Sequence, residues 1–184
     1  MENNKNITAK ILPLLLTVLV ILIDQTTKFI IVKTIPPFSI GKSFFGGLLR
    51  FVHVSNTGVA FSVGDSLPDT IRHFLFAVIP LAVIVLVLII YFRNDSFTKL
   101  QRWTICGIVG GGLGNLIDRF VRAEGVVDFI DVKFFGILGF DRWPTFNVAD
   151  SSIVVCGIIL IISFIVSIAD DEKIKKGGTN NERK

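Results

Sequence analysis

Four apolar stretches limit what this chain can fold into. They cover residues 11–32, 73–92, 103–121 and 151–169, and each is close to the roughly 20 residues that a helix needs to cross about 30 Å of hydrocarbon. The composition agrees, because 51% of the 184 residues are hydrophobic, whereas soluble domains carry fewer apolar and more charged residues. The sequence therefore predicts an α-helical integral membrane protein with four transmembrane helices, forming one membrane domain over residues 1–184.

Basic residues predict how these helices are oriented. The N-terminal tail, the loop 93–102 and the tail from residue 170 together hold 10 of the 19 Lys and Arg residues. Because cytoplasmic segments carry such an excess, both termini should be cytoplasmic, and the connections 33–72 and 122–150 should be extracytoplasmic. Membrane orientation accounts for the net charge of +4, and no nucleic-acid partner is predicted. Residues 173–184 are expected to form a disordered cytoplasmic tail.

The first extracytoplasmic connection is predicted to fold into strands. The run "LLRFVHVSNTGVAFSVG" contains two β-prone segments around a turn at Asn56-Thr57-Gly58. Upstream of it, "FSIGKSFFGGLL" is apolar, which suits a segment that rests on the membrane surface. We therefore expect a small extracytoplasmic β-rich cradle at the lipid boundary.

The third apolar stretch contains the glycine-rich run "CGIVGGGLGNLIDR". Its glycines repeat at the spacing that lets two helix backbones approach closely in lipid: Gly107 and Gly111, then Gly110 and Gly114. Close packing would bring the polar end of this helix against its neighbours. Both cysteines of the chain also lie in apolar stretches, where a free cysteine acts as a small hydrophobe. No disulfide, metal site or cofactor is predicted.

Polar residues at one membrane face are the strongest indication of function. With the predicted orientation, one group lies at the level of the outer leaflet boundary: Asp24, Asn115, Asp118, Arg119, Asp128, Asn147 and Asp150. Ionisable groups at that depth are expensive and usually functional. The inner halves of the four stretches contain no Asp, Glu, Lys or Arg. This pattern argues against the main alternative, a small proton- or cation-coupled membrane transporter, whose carboxylates would be spread across the membrane. A non-catalytic assembly subunit is a third possibility.

Each of these residues also has a structural alternative. Asp150 could cap the last helix, since Asp at a helix start accepts hydrogen bonds from free backbone N–H groups. Asp24 could face the lipid headgroups together with Lys28, one helical turn away. Asn56 could simply be a turn residue, and Arg119 could pair with another charge at a helix end.

Several carboxylates with amides and an arginine, and no metal motif, suit the hydrolysis of an amide bond. Two aspartates that share one proton can do this, because the ionised member takes a proton from water while the neutral member donates one to the scissile carbonyl. Close like charges and burial separate the two titrations, which belong to the pair rather than to one residue.

Four motifs in order give a specific resemblance. They are "DQTTK" at Asp24–Lys28, "NTGVAF" at Asn56–Phe61, "GNLIDRFVRAEGVVDFI" at Gly114–Ile130 and "FNVADSSI" at Phe146–Ile153. Together they closely resemble lipoprotein signal peptidase, the type II signal peptidase of bacteria. The resemblance implies a multi-pass aspartic endopeptidase of the bacterial cytoplasmic membrane, with its active site near the outer face and no cofactor.

The resemblance also implies a substrate and roles for individual residues. Substrates would be prolipoproteins, cut on the N-terminal side of a cysteine that carries diacylglycerol, and globomycin-type peptides would inhibit the enzyme. By motif, Asp128 and Asp150 match the catalytic pair. Other positions match residues that bind substrate or support the site: Asp24, Asn56, Asn115, Arg119 and Asn147. Membrane lipid is an expected partner, and the chain is expected to be a monomer.

Overall fold

The computed structural model describes residues 2–56, 68, 71 and 74–181. Five helices are described, and they are α1 (Glu2–Ile11), α2 (Leu14–Thr34), α3 (Ile79–Arg93), α4 (Lys99–Val121) and α5 (Val148–Asn181). Three strands are described, and they are β1 (Ile40–Phe44), β2 (Leu49–Asn56) and β3 (Val126–Val132). A π-helical turn precedes α3, and short 3₁₀ turns follow β1 and β3.

Three segments in the described part of the chain are helical, long and apolar enough to cross a membrane. They are Ile7–Thr34, Phe74–Arg93 and Val148–Asp170. The remaining predicted span, residues 103–121, is helical as part of α4, but α4 is not among the helices apolar enough to qualify. Its polar end and its glycines lower its hydropathy. Four spans therefore stay a prediction, as does the disorder of residues 173–184.

Helix α4 lies at the centre of the bundle. It packs against α2, α3 and α5, and 13 of its 23 residues are buried. A capping box fixes its start: the Thr98 hydroxyl accepts from the Gln101 N–H at 3.2 Å, and the Gln101 side chain accepts from the Thr98 N–H at 3.0 Å. A helix in this position can carry polar side chains toward its neighbours instead of toward lipid.

Glycines allow the neighbouring helices to approach α4, as their spacing predicted. A Cβ atom added at Gly114 would lie 2.8 Å from Asp24 Oδ2 on α2 and 3.2 Å from the Cβ of Ala149 on α5. One added at Gly111 would collide with the Ala149 carbonyl oxygen. Because α4 carries only hydrogen at these two positions, α2 and α5 can lie directly against it, and Asp24 of α2 reaches the surface of α4.

The strands form one antiparallel sheet in the order β1-β2-β3. The predicted strand before Asn56 is confirmed as β2, whereas the second β-prone run, residues 59–63, lies outside the described residues. The segment expected to rest on the membrane surface contributes the exposed edge strand β1. Ile31 and Ile35 pack against Val127 and Phe129, which ties β3 to the end of α2.

Candidate active site

Asp128 lies near the start of β3, at the end of the sheet that meets the helices. Its neighbour on β2 is Val54, and Asn56 ends that strand opposite Val126. Asn56 Nδ2 donates to Asp128 Oδ2 at 3.1 Å. The turn-residue alternative for Asn56 is therefore insufficient, because its side chain also holds a buried carboxylate. The rest of the predicted turn, Thr57 and Gly58, lies outside the described residues.

Asp150 lies in the first turn of α5, where it takes part in the helix cap. The Asp150 N–H donates to Asn147 Oδ1 at 2.9 Å, and the Asn147 N–H donates to Asp150 Oδ2 at 3.1 Å. This reciprocal pair confirms the capping alternative, but it occupies only one carboxylate oxygen. The other, Oδ1, accepts from Asn115 Nδ2 at 2.6 Å. Capping and a role in the site are compatible.

Two amides connect the carboxylates. Asn147 Nδ2 donates to Asp128 Oδ1 at 2.7 Å and to Asn115 Oδ1 at 3.1 Å. Asn147 has no exposed surface, so its hydrogen bonds are sheltered from water. The chain of contacts runs from Asp128 through Asn147 and Asn115 to Asp150, and it fixes both carboxylates relative to each other.

A cavity of about 590 Å³ opens beside this arrangement. Its polar lining consists mainly of Asn56, Asn115, Arg119, Asp128 and Asp150. Its apolar lining comes from the loop before α5 and from α5 itself, and includes Trp143, Pro144, Phe146, Val154 and Val155. Both carboxylates therefore face one space that is lined by polar and by apolar side chains, as a ligand-binding pocket typically is.

Burial, and to a lesser extent the negative charge of Asp150, raise the pKa of Asp128 to about 7. The amides of Asn56 and Asn147 and the Lys28 ammonium oppose this rise. Because burial outweighs the hydrogen bonds, a proton on Asp128 is available near neutral pH. Such a carboxyl is a candidate general acid.

Behind the carboxylates, α2 and α4 enclose a cluster of ions. Lys28 Nζ lies 2.8 Å from Asp24 Oδ2 and 2.8 Å from Asp118 Oδ2, and all three side chains are fully buried. Asp24 Oδ1 accepts from the Ala149 N–H at 3.0 Å. The expectation that Asp24 and Lys28 could face lipid headgroups is wrong, because the close approach of α2 to α4 turns both into the protein.

All seven predicted site residues lie at this end of the molecule, but they differ in position. Five line the cavity, Asn147 lies just behind it, and Asp24 belongs to the ion cluster. Lys28, which was considered only as a partner of Asp24, also donates to Asn115 Oδ1 at 3.0 Å. A lysine inside an apolar span was itself a signal for a functional role. In the part of the chain that the structure describes, no three His, Cys, Asp or Glu residues group as metal ligands would.

Comparison with known proteins identifies the family. The family model described as signal peptidase (SPase) II matches residues 16–166. The lipoprotein signal peptidase of Treponema pallidum (strain Nichols) is 49% identical over 156 residues, which cover 85% of this chain and 84% of the relative. The lipoprotein signal peptidase of Treponema denticola is 48% identical over 164 residues, which cover 89% of this chain and 94% of the relative.

The fold has a counterpart among solved structures. A structure described as "Bacterial membrane enzyme structure by the in meso method at 2.3 A resolution" superimposes with a TM-score of 0.73 at 28% identity, covering 86% of this chain and 90% of that one. The fold, which matches that of a bacterial membrane enzyme, and the apolar helices thus indicate that this chain is a bacterial membrane protein. The chain belongs to the signal peptidase II family, which is a family of proteases.

Proposed function

We propose that this protein is an aspartic endopeptidase that removes the signal peptide from diacylglyceryl-modified prolipoproteins and cuts on the N-terminal side of the lipidated cysteine. The relatives of both Treponema species are lipoprotein signal peptidases. The observation that carries the proposal is the pairing of Asp128 and Asp150 at one cavity, where three asparagine amides hold them.

The two carboxylates divide the chemistry between them. Burial favours Asp128 as the protonated member, which leaves Asp150 to accept a proton from a water molecule. The water oxygen attacks the carbonyl carbon of the scissile peptide bond while the Asp128 carboxyl donates its proton to the carbonyl oxygen. Asp150 then passes the proton that it took from water to the leaving nitrogen, and the C–N bond breaks. As the tetrahedral intermediate collapses, one of its hydroxyl groups returns a proton to Asp128, so the pair is regenerated.

The cavity suits a substrate that arrives from the bilayer. Val154 and Val155 line it from α5, a helix apolar enough to span a membrane. Acyl chains and an apolar signal helix could pack along this wall while the scissile bond lies over the carboxylates. Binding energy from these remote apolar groups would position the bond for attack. Arg119, which also lines the cavity, would attract a carbonyl oxygen or a lipid phosphate.

The proposal includes the membrane arrangement expected from the sequence. Helix α4 would be a fourth span, shielded from lipid by α2, α3 and α5. Both termini would lie in the cytoplasm, and the sheet would form the extracytoplasmic cradle beside a site near the outer face of the bacterial inner membrane. We further propose that the protein is a monomer in contact with membrane lipid and that globomycin-type peptides occupy its cavity. A transporter is not favoured, because the family is one of proteases.

The test is cleavage of a diacylglyceryl-modified prolipoprotein by the purified protein in detergent. Wild type, Asp128→Asn and Asp150→Asn would each be assayed with and without EDTA. We expect wild-type activity that resists EDTA, and a loss of at least about 1,000-fold in each variant, since each removes a proton-transfer group. Asp141→Asn is the matched control, because Asp141 is exposed in the loop before α5 and should keep wild-type turnover.

Two results would contradict this assignment. Near-normal turnover by either folded variant would leave that aspartate as a helix cap or a scaffold residue only. Loss of wild-type activity in EDTA, restored by a divalent metal ion, would replace the aspartate pair with a metal-dependent mechanism.

A further inference from the structure

Lys28 makes one contact more than its ion pairs require. Its ammonium group lies 2.8 Å from a carboxylate oxygen of Asp24 and 2.8 Å from one of Asp118. It also donates to Asn115 Oδ1 at 3.0 Å. Lys28 has no exposed surface, so it cannot touch a substrate in the cavity. Besides its direct electrostatic effect on Asp128, Lys28 can influence the site only through a neighbouring side chain.

The contact with Lys28 decides which way the Asn115 amide points. An ammonium group has three donors and no acceptor, so the Asn115 atom that it contacts must be the carbonyl oxygen. Asn147 Nδ2 donates to the same oxygen at 3.1 Å. With the oxygen held on this side, the Asn115 amide nitrogen is directed to Asp150 Oδ1, where it donates at 2.6 Å. A reversed amide would set an oxygen against the Asp150 carboxylate.

We infer that Lys28 is a positioning residue for the carboxylate pair. By holding the Asn115 carbonyl, Lys28 commits the Asn115 amide N–H to Asp150, and a hydrogen bond donated to a carboxylate favours its ionised form. The inference rests on the proposed function, in which Asp150 accepts a proton from water. Lys28 would thus maintain the water-activating carboxylate through one intervening side chain.

Removing Lys28 alone would not test this inference, because it would leave the buried Asp24 carboxylate without its cation and would strongly destabilise the fold. Asp24→Asn offers a charge-matched background: it keeps an oxygen for the Ala149 N–H and leaves the contact between Lys28 and Asn115. Adding Lys28→Met then removes the cation while Asp118 keeps its ion pair with Arg122 at 3.1 Å.

Apart from Lys28 itself, the charges around Asn115 and Asp150 are the same in the single and the double variant. Those that face Asn115 and Asp150 come from α2, α4 and β3, and are Lys28, Asp24, Asp118, Arg119 and Asp128. Both variants lack the Asp24 charge, so they differ only at position 28. A difference in turnover between them therefore reports Lys28.

The experiment measures kcat and KM for a diacylglyceryl-modified prolipoprotein from about pH 5 to pH 9. We expect Asp24→Asn/Lys28→Met to have a kcat about 10- to 100-fold below that of Asp24→Asn, with KM unchanged within about twofold. Its pH profile should move to higher pH, because the carboxylate pair loses a hydrogen-bond donor that favours its ionised member. Lys28→Gln in the same background retains N–H donors and should recover part of the kcat.

Several outcomes would overturn the inference. Equal kcat values and pH profiles in the single and double variants would do so, and so would a lower kcat with an unmoved profile, which marks a merely structural effect. If the Met variant does not fold, the Gln variant decides by the same criteria. A wild type that does not cleave the substrate would instead refute the proposed function. Crystal structures of the Met or Gln variant would then decide: an Asn115 amide withdrawn from Asp150 supports the inference, and an unchanged contact rejects it.

Discussion

Both ends of helix α4 bury charged residues, but these residues have side-chain partners at one end and backbone partners at the other. At its last turns, Asn115 and Asp118 meet carboxylates, amides and a lysine beside a cavity. At its first turn, Arg102 is 4% exposed and donates to the backbone oxygens of Asn94 and Asp95 at 3.1 and 3.4 Å. One end gathers side chains whose charge state can change, whereas the other holds a permanent cation through two hydrogen bonds to backbone oxygens.

Beside the first turn of α4, contacts from Lys10 hold the end of α1 against the end of α3 and the loop that follows it. Lys10 Nζ pairs with Asp95 at 2.6 Å and donates to the Phe92 carbonyl at 2.8 Å, while the Tyr91 hydroxyl donates to the Lys10 carbonyl at 2.7 Å. The Arg102 guanidinium lies 5.6 Å from the centre of the Tyr91 ring. Burial of charge therefore does not by itself mark a functional site. A functional site is indicated by carboxylates that face a cavity and accept hydrogen bonds from oriented amides.

Asn147→Asp should have the largest effect of the substitutions that separate the two ends. The new side chain keeps an oxygen for the Asp150 N–H, so α5 retains its cap. It loses the Nδ2 donor to Asp128 and Asn115 and adds a carboxylate beside the pair. We expect turnover to fall about 100- to 1,000-fold, which is typical for loss of an oriented donor in an active site. Prolipoprotein cleavage by the folded variant measures this.

Asn94→Asp is the matched control at the other end of α4. Asn94 Oδ1 accepts from the Ser96 N–H at 2.8 Å, a contact that aspartate also makes. Turnover should stay within about twofold of wild type, since a half-buried carboxylate far from the cavity does not reach the catalytic pair. Equal losses in both variants would mean that an added charge harms the protein at either end, and the functional contrast between the ends would fail.

The pH dependence of turnover sharpens the comparison further. Since the pKa of Asp128 is raised to about 7 by burial and by the Asp150 charge, its carboxyl is protonated below that pH and ionised above it. If Asp128 is the proton donor, kcat should fall about tenfold for each pH unit well above pH 7. A flat profile between about pH 7 and pH 9 would remove Asp128 from that role.

The thermal stability of the protein should also depend on pH through the titration of Asp128. An unfolded aspartate titrates near pH 3.9, so the folded state holds the Asp128 proton more tightly than the unfolded chain does. The stabilisation is fully present below about pH 4 and is lost as the pH rises to about 7. Wild type should therefore lose more thermal stability between about pH 5 and pH 8 than Asp128→Asn does. An equal loss in the two proteins would show that this carboxyl is not the source.

The sequence located the polar residues at one end of the molecule because hydropathy and the basic bias act locally along the chain. Contacts between residues that meet only through helix packing could not be predicted from the sequence. Lys28 and Asn115 are 87 residues apart, and they meet only because glycines let α2 approach α4. A periodic pattern could suggest the pair of Lys28 with Asp24, one turn away, but could not show that the pair faces inward.

The register between β2 and β3 could not be predicted from the sequence either. Most of the run "GVVDFIDV" forms β3, which pairs with β2. A register shift between Phe51 and Val54 sets Val54 opposite Asp128, and this brings the end of β2 to the carboxylate. Because an irregular pairing has no signature in either strand alone, the contact between Asn56 and Asp128 could be suggested by family resemblance but not by composition.

Arg102→Met should affect turnover least while still weakening the protein. The variant loses two hydrogen bonds to backbone oxygens, each worth about 1 kcal/mol, and the contacts with the Tyr91 and Phe97 rings, while methionine fills much of the same space. The thermal midpoint in detergent should fall by several degrees, and kcat per folded molecule should stay within about twofold of wild type. A tenfold loss of kcat without a loss of stability would mean that the two ends are coupled along α4. Since the Arg102 partners are backbone atoms at helix ends, which cannot respond to the protonation of the carboxylates, we expect the two ends to act independently.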